Sequence, residues 1–111
     1  MSFRLTRAMV LEAASRLPDG AGGYTETWVP LGTHWVEVRS GTGKGGAADL
    51  VALAQVPLRI IVRAAPEGAL SRPKPGQRFR EGQRRFRILA VTEADRDGLY
   101  LTCFAREEAA A

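Results

Sequence analysis

Cysteine and histidine are nearly absent: Cys103 and His34 are the only examples among 111 residues. A lone cysteine closes no internal disulfide, which excludes a small secreted fold held by several bridges. One His and one Cys fall short of the four ligands of a structural zinc site. A hydrolytic triad needs a base beside a nucleophile, and His34 lies next to Trp35 in a strand-like run, so its plain reading is a half-exposed strand histidine. Cys103 falls on the same alternating face as Leu99 and Leu101, the pattern of a buried thiol acting as a small hydrophobe. No apolar run approaches the ~20 residues of a spanning helix. The amino terminus, Met-Ser-Phe-Arg-Leu-Thr-Arg, has no apolar stretch of signal length. A soluble protein made inside the cell, without metal or cofactor and without a membrane partner, is the expectation.

Helical periodicity is also missing. Alanine is frequent but clusters in loops and at the carboxyl end. What remains is a series of short β-like runs. Ala8 to Ala14 fits a strand or a short helix, and the break at Asp19-Gly-Ala-Gly-Gly23 with β-like segments after it favours the strand. Tyr24 to Val29 and His34 to Arg39 are rich in aromatic and β-branched residues. Pro30-Leu-Gly-Thr33 between them is a turn, or a bulge in one bent strand. Pro57 to Arg63 alternates, with Leu58, Ile60 and Val62 on one face and Arg59, Ile61 and Arg63 on the other. Ala64 to Arg80 reads as a connection holding Pro66, Pro73 and Pro75. Arg84 to Val91 places Phe86, Ile88 and Ala90 on one side. Asp95-Arg-Asp-Gly98 is a hairpin signal, since Asp-Gly supplies positive-φ positions. That turn also explains the cluster Glu93, Asp95 and Asp97, which needs no calcium. Leu99 to Ala105 returns as a strand, and the tail from Glu107 to Ala111 is expected to be frayed. Five or six short strands with little helix predict one all-β domain, a small antiparallel barrel or strongly bent sheet.

Between the second and third of these regions lies Ser40-Gly41-Thr42-Gly43-Lys44-Gly45-Gly46-Ala47-Ala48-Asp49. Four glycines and no large apolar side chain cannot pack a core. The run also fails the phosphate-loop pattern, because Lys44 is followed by glycine rather than Ser or Thr. It reads as an adaptable projection that orders only where a partner surface compensates for the lost entropy. Leu50 to Gln55 is apolar again and reads as its return, a short helix or strand.

The charge is uneven. Val56 to Arg87 holds nine basic and two acidic residues; the rest holds seven and ten. Fourteen of the sixteen cations are arginine, the better residue for bidentate pairing and interfaces. Arg72, Arg78, Arg80, Arg84, Arg85 and Arg87 are therefore candidates for contact with acidic neighbours or with DNA. Aromatic interleaving for base stacking is thin there, with only Phe79 and Phe86. Trp28 and Trp35 are candidate anchors, either of the core or of a contact between copies. Two functions from different classes follow: a protein that assembles with copies of itself and other proteins, and a monomeric basic β-barrel that binds nucleic acid. An uncharacterised enzyme built on His34 is a third.

Taken in order, several stretches carry a resemblance. They are the Gly22-Gly23 loop, Trp28, Trp35-Val-Glu-Val38, the variable glycine loop, Leu58-Arg-Ile-Ile-Val-Arg63, Pro75-Gly-Gln-Arg-Phe79, Phe86-Arg-Ile-Leu-Ala-Val91, the Asp-Gly turn and Leu99-Tyr-Leu-Thr-Cys-Phe104. The chain resembles the phage head–tail joining family, the small stopper or head-completion proteins of tailed phages, with similar proteins in gene transfer agents. The resemblance implies an SH3-like β-barrel, no enzymatic activity and a place at the neck of a particle assembled in the host cytoplasm. It further implies a homo-oligomeric ring of six or twelve copies. Its neighbours would be a portal-side adaptor and a tail terminator or tail tube protein, with transient contact to packaged double-stranded DNA. In that family the loop between the second and third strands is associated with channel gating, here Ser40 to Val56.

Overall fold

The computed structural model describes residues 2–40 and 57–109. These residues form six antiparallel strands: β1 (Arg7–Pro18), β2 (Tyr24–Arg39), β3 (Leu58–Arg63), β4 (Arg78–Glu81), β5 (Arg84–Glu93) and β6 (Tyr100–Glu108). They close into a barrel in the order β1-β2-β3-β6-β5-β4, with β4 pairing back onto β1. The all-β barrel expected from the short alternating runs is what forms.

Every strand contributes to the core. Met9 and Leu11 come from β1, Val36 from β2, Ile60 and Val62 from β3, and Phe79 from β4. Phe86 and Ile88 come from β5, and Leu101, Cys103 and Ala105 from β6. Burying each of the larger of these side chains contributes roughly 1.5–3 kcal/mol. Cross-strand register keeps the set together: Leu11 lies opposite Phe79, Phe79 opposite Phe86, and Ile60 opposite Cys103.

Two bulges revise the alternation read from the sequence. In β2 the pairing passes from Leu11–Gly32 to Glu12–Pro30, leaving Leu31 as an extra residue. Gly32 takes φ 137°, which a side chain would resist. Pro30 to Thr33 is therefore a bulge in one continuous 16-residue strand, not a turn. In β5 the pairing passes from Ile88–Ala105 to Ala90–Phe104, so Leu89 is the extra residue. The shift turns Ala90 out to solvent and packs Val91 against the core, the reverse of strict alternation.

Other boundaries move as well. Arg78 to Glu81 is a strand, joined to β5 by the two-residue turn Gly82-Gln83, where the sequence suggested a connection through Arg80. Strand β6 runs to Glu108, so Glu107 and Glu108 are paired residues rather than frayed ones. Leu99 precedes β6 and is 58% exposed instead of sharing the face of Leu101. The Asp95–Gly98 turn forms as expected: Gly98 has φ 68°, its N–H donates to the Asp95 carbonyl, and Asp95 Oδ1 accepts from the Tyr100 N–H. Ile61 faces outward yet is 3% exposed. The amino-terminal strap accounts for this. Phe3 lies 4.9 Å from Tyr100 with the Arg39 guanidinium over its ring, and the Arg4 N–H donates to Glu37. Glu37 is the cross-strand neighbour of Ile61.

Beyond the barrel, β1 and β2 continue together. Strand β1 pairs with β4 only from Val10 to Glu12, and β2 pairs with β3 only from Val36 to Arg39. Six further pairs, from Ala13–Val29 to Pro18–Tyr24, bind these strands only to each other among the described residues. At ~3.3 Å per residue the result is a two-stranded ribbon about 20 Å long. Asp19 closes its tip by accepting from the N–H groups of Ala21 and Gly23.

Candidate interaction surfaces

The arginines singled out in the sequence fall into three groups. Arg78 and Arg80 stand on the outer face of β4, with Arg78 opposite Glu12 of β1. Glu12 is 6% exposed, and its carboxylate accepts from Arg78 Nε at 2.7 Å and Arg80 Nε at 3.0 Å. Burial pushes this carboxyl up, but the two guanidinium hydrogen bonds outweigh it and hold Glu12 below the usual carboxylate range. The Arg78 guanidinium also lies 4.0 Å from the Trp28 ring, and that of Arg87 4.9 Å from it. Register explains the sandwich: Arg78 and Arg87 are directly opposite on β4 and β5, and Trp28 shares the outward parity of Glu12. Arg87 reaches Glu108 at 3.6 Å as well.

The second group closes one mouth of the barrel. Arg84 forks onto Glu107 at 2.8 and 3.0 Å, and Arg7 onto Glu81 at 3.0 and 2.6 Å. Arg84 also lies 4.0 Å from Glu81, joining β1, β4, β5 and β6 in one network. The hydrogen bonds from Arg7 and Arg84 hold Glu81 and Glu107, respectively, below the usual range. Arg72, in the connection before β4, donates to the Ala65 carbonyl at 2.8 Å.

The third group carries no ion pair among the described residues. It holds Arg85 from the original set, with Arg59, Arg63 and Arg106, which charge counting alone did not separate from the rest. Arg63 sits over Tyr100 at 5.6 Å. Arg59 is opposite Phe104, and Arg106 is beside it on β6. A signal for Arg59 and Arg63 was present: both alternate with buried aliphatics in β3 and so must point outward. Glu12 had a signal too, as the lone charge in the apolar run Ala8–Ala14, which requires a cation where it is buried.

Neither tryptophan belongs to the core. Trp28 is half-buried between its two arginines, and Trp35 is 59% exposed on the outer face of β2, where Val36 takes the inward position. His34 packs edge-on to Phe79 at 5.9 Å, and burial lowers its pKa against a hydrogen bond involving the Ser71 backbone. Cys103 is buried, with its thiol pushed up to about 12 by desolvation against the nearby charge of Arg72. Two open clefts, of about 470 and 480 Å³, are lined by residues of the 67–75 connection with Val91 and by the Arg87–Arg106–Glu108 region. His34 and Cys103 line neither. Among the described residues no group of three or more metal-binding side chains converges.

Of the glycine loop, Ser40 follows β2 and is exposed. Gly41, Thr42, Gly43, Lys44, Gly45, Gly46 and Asp49, and the stretch through Val56, lie outside the described residues. The strands that flank it are neighbours, with Arg39 opposite Arg59.

A family of phage head completion proteins matches residues 2–108. Among solved structures, the chain is similar to a chain in the virion of a native gene transfer agent particle. The two are 53% identical with a TM-score of 0.77, over 99% of this chain and 100% of that one. It is also similar in fold to a protein of Shigella flexneri 2a solved in solution, at 21% identity and a TM-score of 0.66, over 97% and 96% of the two chains. No curated protein matches it.

Proposed function

Because the chain belongs to the phage head completion protein family, we propose that it is a head–tail connector subunit in the neck of a tailed-phage or gene-transfer-agent particle. Several copies form a ring there, between a portal-side adaptor and the tail. The observation that carries this reading is the full-length likeness, at 53% identity, to a chain found in a gene transfer agent virion. The role is architectural rather than catalytic: His34 is spent on packing against Phe79, and Cys103 on filling the barrel.

The finer assignments are part of the same proposal. The loop from Ser40 to Val56 joins β2 to its neighbour β3, and we assign it as the channel-facing loop. Trp35, exposed on β2, is a candidate contact between copies. Most of the arginines first singled out are engaged within the chain, which weighs against a monomeric nucleic-acid-binding barrel built on them.

The test is assembly. Particles made without the protein are expected to package DNA, fail to retain it and lack tails. Deleting Gly41 to Gly46 should impair DNA retention while leaving the melting temperature unchanged. Tailed, DNA-retaining particles in its absence would refute the connector role. A tight complex of the isolated protein with DNA, falling steeply with salt, would favour the nucleic-acid reading instead.

A further inference from the structure

The β1–β2 ribbon is an unusual liability for a small barrel. A two-stranded ribbon is at best marginally stable in water, and its strand edges are templates for further pairing. One face, made by Ala13, Ser15, Leu17, Thr25, Thr27 and Val29, carries no charge, and Leu17 and Val29 are 57% and 45% exposed on it. Arg16 pairs with Glu26 on the opposite ribbon face, so Asp19 at the tip leaves the ribbon net negative.

The barrel order places β6 three strands from β1 in either direction, diametrically across the molecule. The outer face of β6 and its neighbours carries Phe104 and Ala90, opposite each other, with Arg59 and Arg106 beside Phe104; further along, Glu108 faces Arg85 and pairs with Arg87. Arg59 and Arg106 form no ion pair among the described residues. An apolar arm with an acidic tip on one side and an apolar patch bordered by the unpaired Arg59 and Arg106 on the other are complementary. They are also different surfaces, so their contact is head-to-tail, the kind that closes a ring.

We propose that the β1–β2 ribbon of one copy docks on the β3–β6–β5 outer face of the next. Leu17 and Val29 pack toward Phe104 and Ala90, and Asp19 at the ribbon's tip reaches toward Arg59 and Arg106. The inference rests on the ring reading above and assigns its contact surfaces.

The experiment introduces Leu17→Cys and Ala90→Cys together, both at exposed positions, into particles assembled with the variant in place of the natural protein. Each single variant serves as a control. Cys103 is buried and stays silent. Purified particles are treated with a short bismaleimide linker, run on a denaturing gel, and their necks imaged for rotational symmetry. The expected result is a ladder of cross-linked copies in the double variant, single bands in the controls, and a symmetric neck. Adding Arg59→Glu and Arg106→Glu should reduce the ladder about tenfold through like-charge opposition.

A symmetric neck without a ladder would overturn the surface assignment and leave the ring reading standing. A neck with no repeated copies would overturn both. If the ladder is absent and the two Arg→Glu changes instead abolish salt-sensitive retention of DNA, the face belongs to DNA and the inference fails.

Discussion

Replacing Glu12 with alanine should be among the most damaging single changes in the barrel. The carboxylate is 6% exposed and bonded to two arginines, of which Arg78 has an 11% exposed side chain. Removing one partner of a buried pair costs about 3–5 kcal/mol, because the other charge is left without compensation. Two features place Glu12→Ala near the low end. Arg80 is 40% exposed and regains water. Arg78 keeps its place over Trp28, a contact worth up to about 2 kcal/mol where water is excluded. A loss of about 3 kcal/mol corresponds to a fall in melting temperature of roughly 12 °C for a domain of this size. Thermal denaturation followed by circular dichroism reads it. The partner variant discriminates charge from packing: Glu12→Leu with Arg78→Met replaces the ions by apolar side chains and should recover to within about 1 kcal/mol of the natural protein. The double-mutant cycle then gives a coupling above about 2 kcal/mol. A Glu12→Ala loss below about 1 kcal/mol, or additive effects in the cycle, would show that the cluster is surface electrostatics and not a buried ion site.

Further outcomes follow from the same geometry. Glu12, Glu81 and Glu107 have depressed pKa values, so their contribution is complete above their ordinary 4.5 and is lost as pH falls through the lower folded values. Denaturant midpoints should therefore fall below about pH 4.5, and less steeply in Glu12→Gln. The folded pKa of His34 is likewise below its ordinary 6.5, so stability should begin to decline as pH drops under that value; His34→Phe, which keeps the contact with Phe79, should remove that segment of the pH curve. With its thiol pushed up to about 12, Cys103 should resist iodoacetamide at about pH 8 in the folded protein and react readily in denaturant, as mass spectrometry would record. Gly32→Ala, which forces a side chain into φ 137°, should cost about 1–3 kcal/mol in the same melts.

The barrel was legible in the sequence because its evidence is local. Alternation in Pro57–Arg63, the Asp-Gly turn and the aromatic run around Trp35 each name a strand or a hairpin by themselves. What the sequence left open depended on pairing. The bulges at Leu31 and Leu89 appear only against a partner strand's register, and the Leu89 bulge exchanges Ala90 for Val91 in the core. Strand β4 is only four residues and carries arginines at Arg78 and Arg80, so nothing in its composition suggests burial. Its place is secured by Phe79, which meets Leu11 and Phe86 from two other strands. Of the two places open to the tryptophans, the core or a contact between copies, the first is excluded for a physical reason. A large aromatic in a strand is expected to fill the core, but the parity set by Val36 sends Trp35 out, and the Leu31 bulge gives Trp28 the parity of Glu12.

The arginine count pointed to one basic segment, and the fold divides it. Arg78, Arg80, Arg84 and Arg87 are matched by Glu12, Glu81, Glu107 and Glu108, three of which lie outside the Val56–Arg87 stretch that looked uncompensated. Charge that is lopsided along the chain is thus largely neutralised where β1, β4 and β5 meet. Arg59 and Arg106 lie across the barrel on the face centred on β6, whereas Arg85 stands opposite Arg80, beside the Glu12 cluster. The electrostatic asymmetry of the molecule is therefore spatial, with a closed ion network and a net-negative ribbon on the β1 side and open guanidinium groups opposite. In the proposed ring, this separation matters more than net charge. A uniformly basic surface would repel its own copies, whereas unlike surfaces on opposite sides permit the same contact to repeat around a circle.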